Sequence, residues 1–305
     1  MEQPIDALLQ GDAYTVLRDF PDNSVNLIVT SPPYWNAKDY RIEGQIGQTD
    51  YKTYLGDLLK VWEESERILV PNGKLCINTP MMPVSKSIIN DYHTRFLQNI
   101  NNDVEHTILR NTALQRFSLY IWEKQTSVKM FGSYPYPPNL YEDNTIEFIN
   151  VFVKPGSPKK LNKTVKERSR LSMSEWLNLT KQIWCLYPED VGRKKGHPAP
   201  FPLRLAARLI SMYTFRKCTE AGFPGDIVLD MFVGTGATCV SAKILERRFV
   251  GIDINPKFLE VAERRLKEAN ALVGRPPFSL MDDQKKWSKY REEREKQLGL
   301  QWKEQ

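Results

Sequence analysis

The sequence predicts an α/β protein, a largely parallel, doubly wound sheet with helices on both faces. Three observations carry this. Residues 12–79 alternate a short helix, an apolar β-branched run, an amphipathic helix and a second apolar run. Residues 226–253 repeat the alternation around a glycine loop. The 305 residues, 41% hydrophobic and 26% charged, suffice to bury a core without staples. Strands alternating with helices make parallel sheets, because each crossover helix returns the chain to the edge it left.

In chain order, Ala13 to Phe20 is a short helix and PDNS (21–24) a turn. VNLIVT (25–30) is a buried strand that stops at SPPYW, since two prolines cannot continue a ladder. Residues 51–70 place apolar side chains at 54, 55, 58, 59, 62 and 69, mostly at helical spacing. PNG (71–73) ends that helix and KLCINT (74–79) is the next strand. The stretch 84–130 is polar, and a helical segment is expected there. NTIEFINVFV (144–153) is a strand after the Pro/Tyr-rich turn GSYPYPPN (132–139). EWLNLTKQIW (175–184) is a small amphipathic segment, GHPAPFP (196–202) an extended linker, and LRLAARLISMYT (203–214) a helix. Then come the strand DIVLD (226–230), the loop FVGTGA (232–237), a helix over 237–248, the strand FVGID (249–253) and a helix over 255–270. Asn255 caps that last helix, with Pro256 at its first position.

Several function classes are poor fits. No run approaches the 18 apolar residues of a membrane span, and the N-terminus lacks a basic region leading into an apolar one, so a cytoplasmic protein is expected. Four cysteines form no C-x-x-C pair, and with three histidines they match no zinc spacing, so no metal is expected. Net charge is +6 and the pI about 9.0, unevenly spread. Residues 154–170 hold seven bases against one acid. Such a run is either a solvated loop or a set of phosphate contacts on a nucleic-acid-binding protein, and charge alone leaves both open.

Strand, G-x-G, helix, strand and acid is the plan for holding a nucleotide-like cofactor at the carboxyl edge of a parallel sheet. Gly234 and Gly236 permit a tight turn and close approach of a ligand. Asp253, 23 residues after Asp230, can accept from both ribose hydroxyls. The third glycine of G-x-G-x-x-G is missing, since position 239 is Cys, and this disfavours a pyrophosphate-bearing nicotinamide or flavin cofactor. Asp230, just before the loop, would repel a phosphate but welcome an ammonium. S-adenosylmethionine has the ammonium, the ribose and no phosphate. The alternative role for Asp230 is to cap the loop by accepting from its amides.

Ser31-Pro32-Pro33-Tyr34 follows a buried strand directly, and at a strand's carboxyl end a rigid polar-proline-aromatic loop makes a pocket wall. The Ser31 hydroxyl and Pro32 carbonyl can accept from an exocyclic amine, and Tyr34 offers a stacking face. TSPPYW, then HPAPFP, then VLDMFVGTGATCVSAKILERRFVGIDINPKFLEVAERRL together resemble the DNA amino-methyltransferases, in the β group that places the catalytic block first and the cofactor loop last. The resemblance covers about 12–80, 131–155 and 196–268.

It implies a permuted Rossmann-like S-adenosylmethionine-dependent methyltransferase sheet with small target-recognition insertions. The core is expected at 1–82, 131–155 and 196–280, candidate target-recognition segments at 83–130 and 156–195, and a charged tail at 281–305. Ser31, Pro32, Pro33 and Tyr34 would hold the target amine. Asp230, Phe232, Gly234 and Gly236 would surround the cofactor's methionine part, with Asp253 at the ribose, Asp12 near the adenine and Pro202 alongside. Met231 where Pro is commoner, and Ala237 where Thr is commoner, remove neither a charge nor a glycine. Lys159, Lys160, Lys163, Lys166, Arg168, Arg170, Arg193, Lys194 and Lys195 are candidate DNA contacts. Ser before P-P-Y is similar to the cytosine-N4 branch; adenine-N6 methylation of DNA, amine methylation of RNA, and a non-catalytic nucleic-acid-binding protein on the same core are the alternatives. Double-stranded DNA is the expected partner, and a cognate restriction endonuclease follows from the resemblance.

Overall fold

The computed structural model describes residues 4–35, 45–84, 96–124, 137–138, 142, 145–187 and 202–283. Most of the turn over 132–139, Arg193 to Lys195, most of HPAPFP and the tail from 284 lie outside these residues.

Eight strands form one sheet: β1 (Ala7–Gln10), β2 (Val25–Thr30), β3 (Leu69–Thr79), β6 (Gln115–Glu123), β7 (Ile146–Val153), β8 (Ile183–Cys185), β9 (Ile227–Asp230) and β10 (Arg248–Asp253), in the order β1-β10-β9-β2-β3-β7-β6-β8. From β1 to β3 neighbours run parallel, β7 runs antiparallel to β3 and β6, and β8 is parallel to β6. A two-stranded ribbon, β4 (Met82–Val84) with β5 (Phe96–Gln98), stands apart.

Strand residues alternate between two cores, as period two requires. Leu27, Val29, Cys76 and Val228 face a cluster with α6 (Leu203–Tyr213), α7 (Ala237–Ile244) and α8 (Pro256–Glu268). Ile28, Leu75, Ile77, Leu229, Val250 and Ile252 face a cluster with α1 (Ala13–Leu17), α2 (Tyr51–Ile68) and α3 (Ile100–Asn111). VNLIVT is apolar on both faces because β2 is covered on both. Two short helices, α4 (Lys163–Arg168) and α5 (Met173–Leu179), link β7 to β8. Among described residues no helix is long and apolar enough to cross a membrane.

Four expectations need correction, and the first is the helix over 237–248, which ends at Ile244 because Arg248, the first residue of β10, already pairs with Ile227. Residues 84–130 are not one helical stretch: α3 is followed by β6, whose half-buried alternating pattern fills the sheet beside β7. The helix from 51 ends at Ile68, before PNG, because Leu69 already pairs with Val25 and Pro71 disfavours helical backbone at Val70. The segment 175–184 divides, with α5 ending at Leu179 and Ile183 beginning β8.

Candidate active site

The strands at the centre, β9 and β2, are adjacent although about 200 residues separate them, with Leu27 beside Val228 and Ile28 beside Leu229. Their successor helices, α7 and α2, lie on opposite faces. A doubly wound sheet opens a crevice where its connections diverge in this way. Both loops singled out in the sequence leave from this point.

On one side, β9 ends at Asp230, which is buried and accepts three hydrogen bonds: from Thr30 Oγ1 at 2.7 Å, Thr238 Oγ1 at 2.7 Å and the Phe232 amide at 3.1 Å. Burial pushes its pKa up to about 6, against the pull of these donors. Only one of the three is a loop amide, so capping describes Asp230 in part; it also clamps the ends of β2 and β9 together.

Asp253 accepts from the Gly234 amide at 2.8 Å with Oδ2 and from the Asn255 amide at 2.8 Å with Oδ1, which fixes the carboxylate plane. Burial raises its pKa as well. The Gly11 amide donates to the Asp253 carbonyl at 3.1 Å and brings Asp12 beside this edge. Asp12 itself is the N-cap of α1, accepting from the Thr15 amide and hydroxyl at 2.9 Å.

The glycines divide their work. Both have left-handed backbone, φ 49° at Gly234 and 83° at Gly236. A Cβ on Gly236 would stand 2.7 Å from Ala262 Cβ, so the lack of a side chain here also admits α8. Arg265 Nη1 donates to the Thr235 carbonyl at 2.7 Å and steadies the turn from below. Phe232 packs partly buried on the opposite core. Pro202 begins α6, whose first turn is tied to α7 by Ser241 Oγ donating to the Leu203 carbonyl at 2.9 Å.

On the other side, Tyr54 on α2 donates to the Pro33 carbonyl at 3.1 Å and holds the turn of Ser31-Pro32-Pro33-Tyr34. Ser31 Oγ lies 2.8 Å from the Tyr34 hydroxyl and 3.2 Å from the Asn78 carbonyl. The Tyr34 hydroxyl donates to Glu147 Oε2 at 3.2 Å and accepts from Asn78 Nδ2 at 3.1 Å. Lys124 Nζ meets Glu147 Oε1 at 2.9 Å. Thr30, Tyr54, Asn78, Lys124, Glu147 and Thr238 were missed in the sequence. Glu147 alone carried a signal there, as the one charged residue in the strand NTIEFINVFV.

The basic run is elsewhere. β7 is antiparallel, so residues after Val153 emerge at the amino edge, opposite both loops. There Lys159 pairs with Asp226 and lies over Phe223, and Arg168 pairs with Glu246 at 3.3 Å. Arg170 pairs with Glu167 on its own segment, and Lys160, Lys163 and Lys166 are exposed. The structure does not bring this set together with Ser31 and Asp230.

A carboxyl-edge crevice with one buried and one half-buried carboxylate on one wall and a polar-proline-tyrosine turn on the other suits a cofactor-dependent enzyme acting on a flat, amine-bearing group. The loop MFVGTG carries no base to meet a phosphate, while Asp230 and Asp253 suit a ligand with a cation and a diol. The family model for N6/N4 DNA methylases matches residues 25–264, and the chain belongs to that family.

Two relatives are the Type II methyltransferases M.MthZI of Methanothermobacter thermautotrophicus and M.Cfr9I of Citrobacter freundii. The first is 29% identical over 83% of this chain and 74% of its own length, the second 27% identical over 85% and 87%. Among solved structures, a candidate DNA modification methylase of Thermus thermophilus, crystallised with S-adenosyl-L-methionine, superposes with a TM-score of 0.68 at 32% identity, covering 90% of this chain and 96% of that one. The cytosine-N4-specific PvuII DNA methyltransferase shares the fold, with a TM-score of 0.62 at 16% identity over 88% and 91%.

Proposed function

We propose that this DNA methylase transfers a methyl group from S-adenosylmethionine to the exocyclic N4 amine of cytosine in double-stranded DNA. The observation that carries this is the Thr30–Asp230 hydrogen bond, which joins the end of the amine-holding turn to the end of the cofactor strand. When bound, the cofactor supplies an electrophilic methyl group. Asp230 would face its ammonium, Asp253 its ribose and Asp12 its adenine, with Phe232, Gly234, Gly236 and Pro202 around it. The target base leaves the stack to reach the crevice, as any base modified on a ring-bound amine must. Ser31 Oγ and the Pro32 carbonyl accept from the amine and turn its lone pair outward, while Pro33 stiffens the turn and the Tyr34 ring stacks on the base. Most of the acceleration is positioning, worth up to about 7–11 kcal/mol in well-oriented systems.

Arg193, Lys194 and Lys195 are the favoured DNA contacts, because the basic run over 154–170 leaves β7 at the amino edge, away from Ser31 and Asp230. The Type II names of the relatives support a restriction-modification setting with a cognate endonuclease.

The test is mass spectrometry of nucleosides from genomic or plasmid DNA treated with the protein and S-adenosylmethionine. N4-methylcytosine is expected; N6-methyladenine would overturn the choice of base and leave the enzyme class intact. Ser31→Ala is expected to slow single-turnover methylation far more than it weakens cofactor binding by calorimetry, and equal losses would remove the role given to Ser31.

A further inference from the structure

Glu147 lies at the second position of β7, buried among strands whose inward residues are mostly apolar. A carboxylate in such a place is stable only when its oxygens are met. Three donors meet this one: Lys124 Nζ at Oε1, and Asn78 Nδ2 and the Tyr34 hydroxyl at Oε2. The methylation step above leaves this carboxylate without a role.

The donors set a direction. An ionised carboxylate can only accept, so the single hydroxyl hydrogen of Tyr34 is committed to Glu147. The Tyr34 oxygen is left to accept, from Asn78 Nδ2 at 3.1 Å and from Ser31 Oγ at 2.8 Å. Both inward neighbours of Ser31, the Tyr34 oxygen and the Asn78 carbonyl, are then acceptors. The Ser31 hydrogen points inward and its lone pairs are free to accept. Hydrogens run one way along Ser31, Tyr34 and Glu147.

We infer that Glu147 is a positioning residue and the terminal proton acceptor for amine methylation, acting through Tyr34 and Ser31; this rests on the assignment of Ser31 to the target amine. The N–H bond of the methylated amine breaks with its electron pair staying on nitrogen. Its proton bonds to Ser31 Oγ, the Ser31 proton moves to the Tyr34 oxygen, and the Tyr34 proton moves to Glu147 Oε2. Both hydroxyls are restored and a neutral carboxylic acid remains, which returns its proton to water between turnovers. Among the described residues, the titratable groups facing Glu147 are Lys124 at the end of β6 and Tyr34 on the turn after β2; Asn78 on β3 and Ser31 are neutral. Lys124 Nζ, 2.9 Å from Oε1, holds the carboxylate in place.

The experiment compares wild type with Glu147→Gln, Glu147→Asp, Tyr34→Phe and the Gln/Phe double variant. Cofactor affinity by calorimetry, expected within threefold of wild type, reports that each is folded. Single-turnover methylation by Glu147→Gln is expected to fall at least tenfold and to lose the decline on the acid side of the pH profile. Glu147→Asp restores that decline. Tyr34→Phe matches Glu147→Gln, and the double variant is no worse than either, as members of one chain require. Infrared spectra of the cofactor-free protein supply a readout apart from turnover. Acidification adds a buried carboxylic-acid band that Glu147→Gln lacks.

A Glu147→Gln enzyme with the wild-type rate and acid limb overturns the inference, as do additive losses in the double variant. Should Glu147→Gln fail to fold, Tyr34→Phe carries the same expectation and the same refutation. Wild-type protein that methylates no DNA amine removes the methylation reading itself, which separates that failure from the loss of the relay alone.

Discussion

Asp230 is both a structural clamp and the group chosen for a cationic ligand, and its titration joins the two. Burial lifts its pKa from 3.8 to about 6, so between those values the folded protein holds a proton that the unfolded chain has released. The stability this provides is full below about pH 4 and is lost as pH rises through about 6. An ammonium beside the carboxylate reverses the preference, since it favours the anion. Cofactor binding is therefore expected to release protons near pH 6 and to weaken as pH falls below it, read by calorimetry in buffers of different ionisation enthalpy. Asp230→Asn should abolish that proton release. It should also weaken binding about 10- to 100-fold, the size of one charge-assisted hydrogen bond. Proton release that survives in Asp230→Asn would move the ammonium to another group. Both aspartates and the SPPY turn were legible in the sequence because each sits in a short motif at the end of an apolar run. Asn78, Lys124 and Glu147 were not, because three strands far apart in the chain bring them together.

Among the elements, the strands with continuous β-branched or aliphatic runs, β2, β9 and β10, were legible with their helices, and α8 begins at Asn255 and Pro256 as its capping residues require. β1 was not, since four residues, ALLQ, carry too little pattern until Leu8 and Leu9 pair with β10. β6 was hidden for a different reason, because its exposed first half hides the strand period. The packing of α7 on α8 turns on Gly236. Gly236→Ala combines a left-handed backbone, about 1–2 kcal/mol for a residue with a Cβ, with a Cβ 2.7 Å from Ala262. Overpacking of that kind costs about 1–3 kcal/mol. We expect a loss of about 2–5 kcal/mol, seen as a lower urea midpoint at unchanged slope. An unchanged midpoint would mean that α8 yields without cost.

At the scale of the whole molecule, the sheet has a chemical end and an ion-paired end. Composition revealed the basic run over 154–170 but not its direction, which depends on β7 being antiparallel. Each phosphate contact contributes about 0.9 to the slope of log affinity against log salt. Replacing Lys160, Lys163 and Lys166 by Gln is expected to change that slope by less than about 1, measured by fluorescence anisotropy on duplex DNA. A fall of about 2–3 would lay DNA across the amino edge. The Thr30–Asp230 bond has a further consequence, for synthesis. Its partners are 200 residues apart, so at about 5–20 residues per second roughly 10–40 s pass between their emergence from the ribosome. For that interval VNLIVT has an open edge where β9 will lie, the kind of edge that recruits other chains. Shielding that strand on the nascent polypeptide is thus part of making the enzyme.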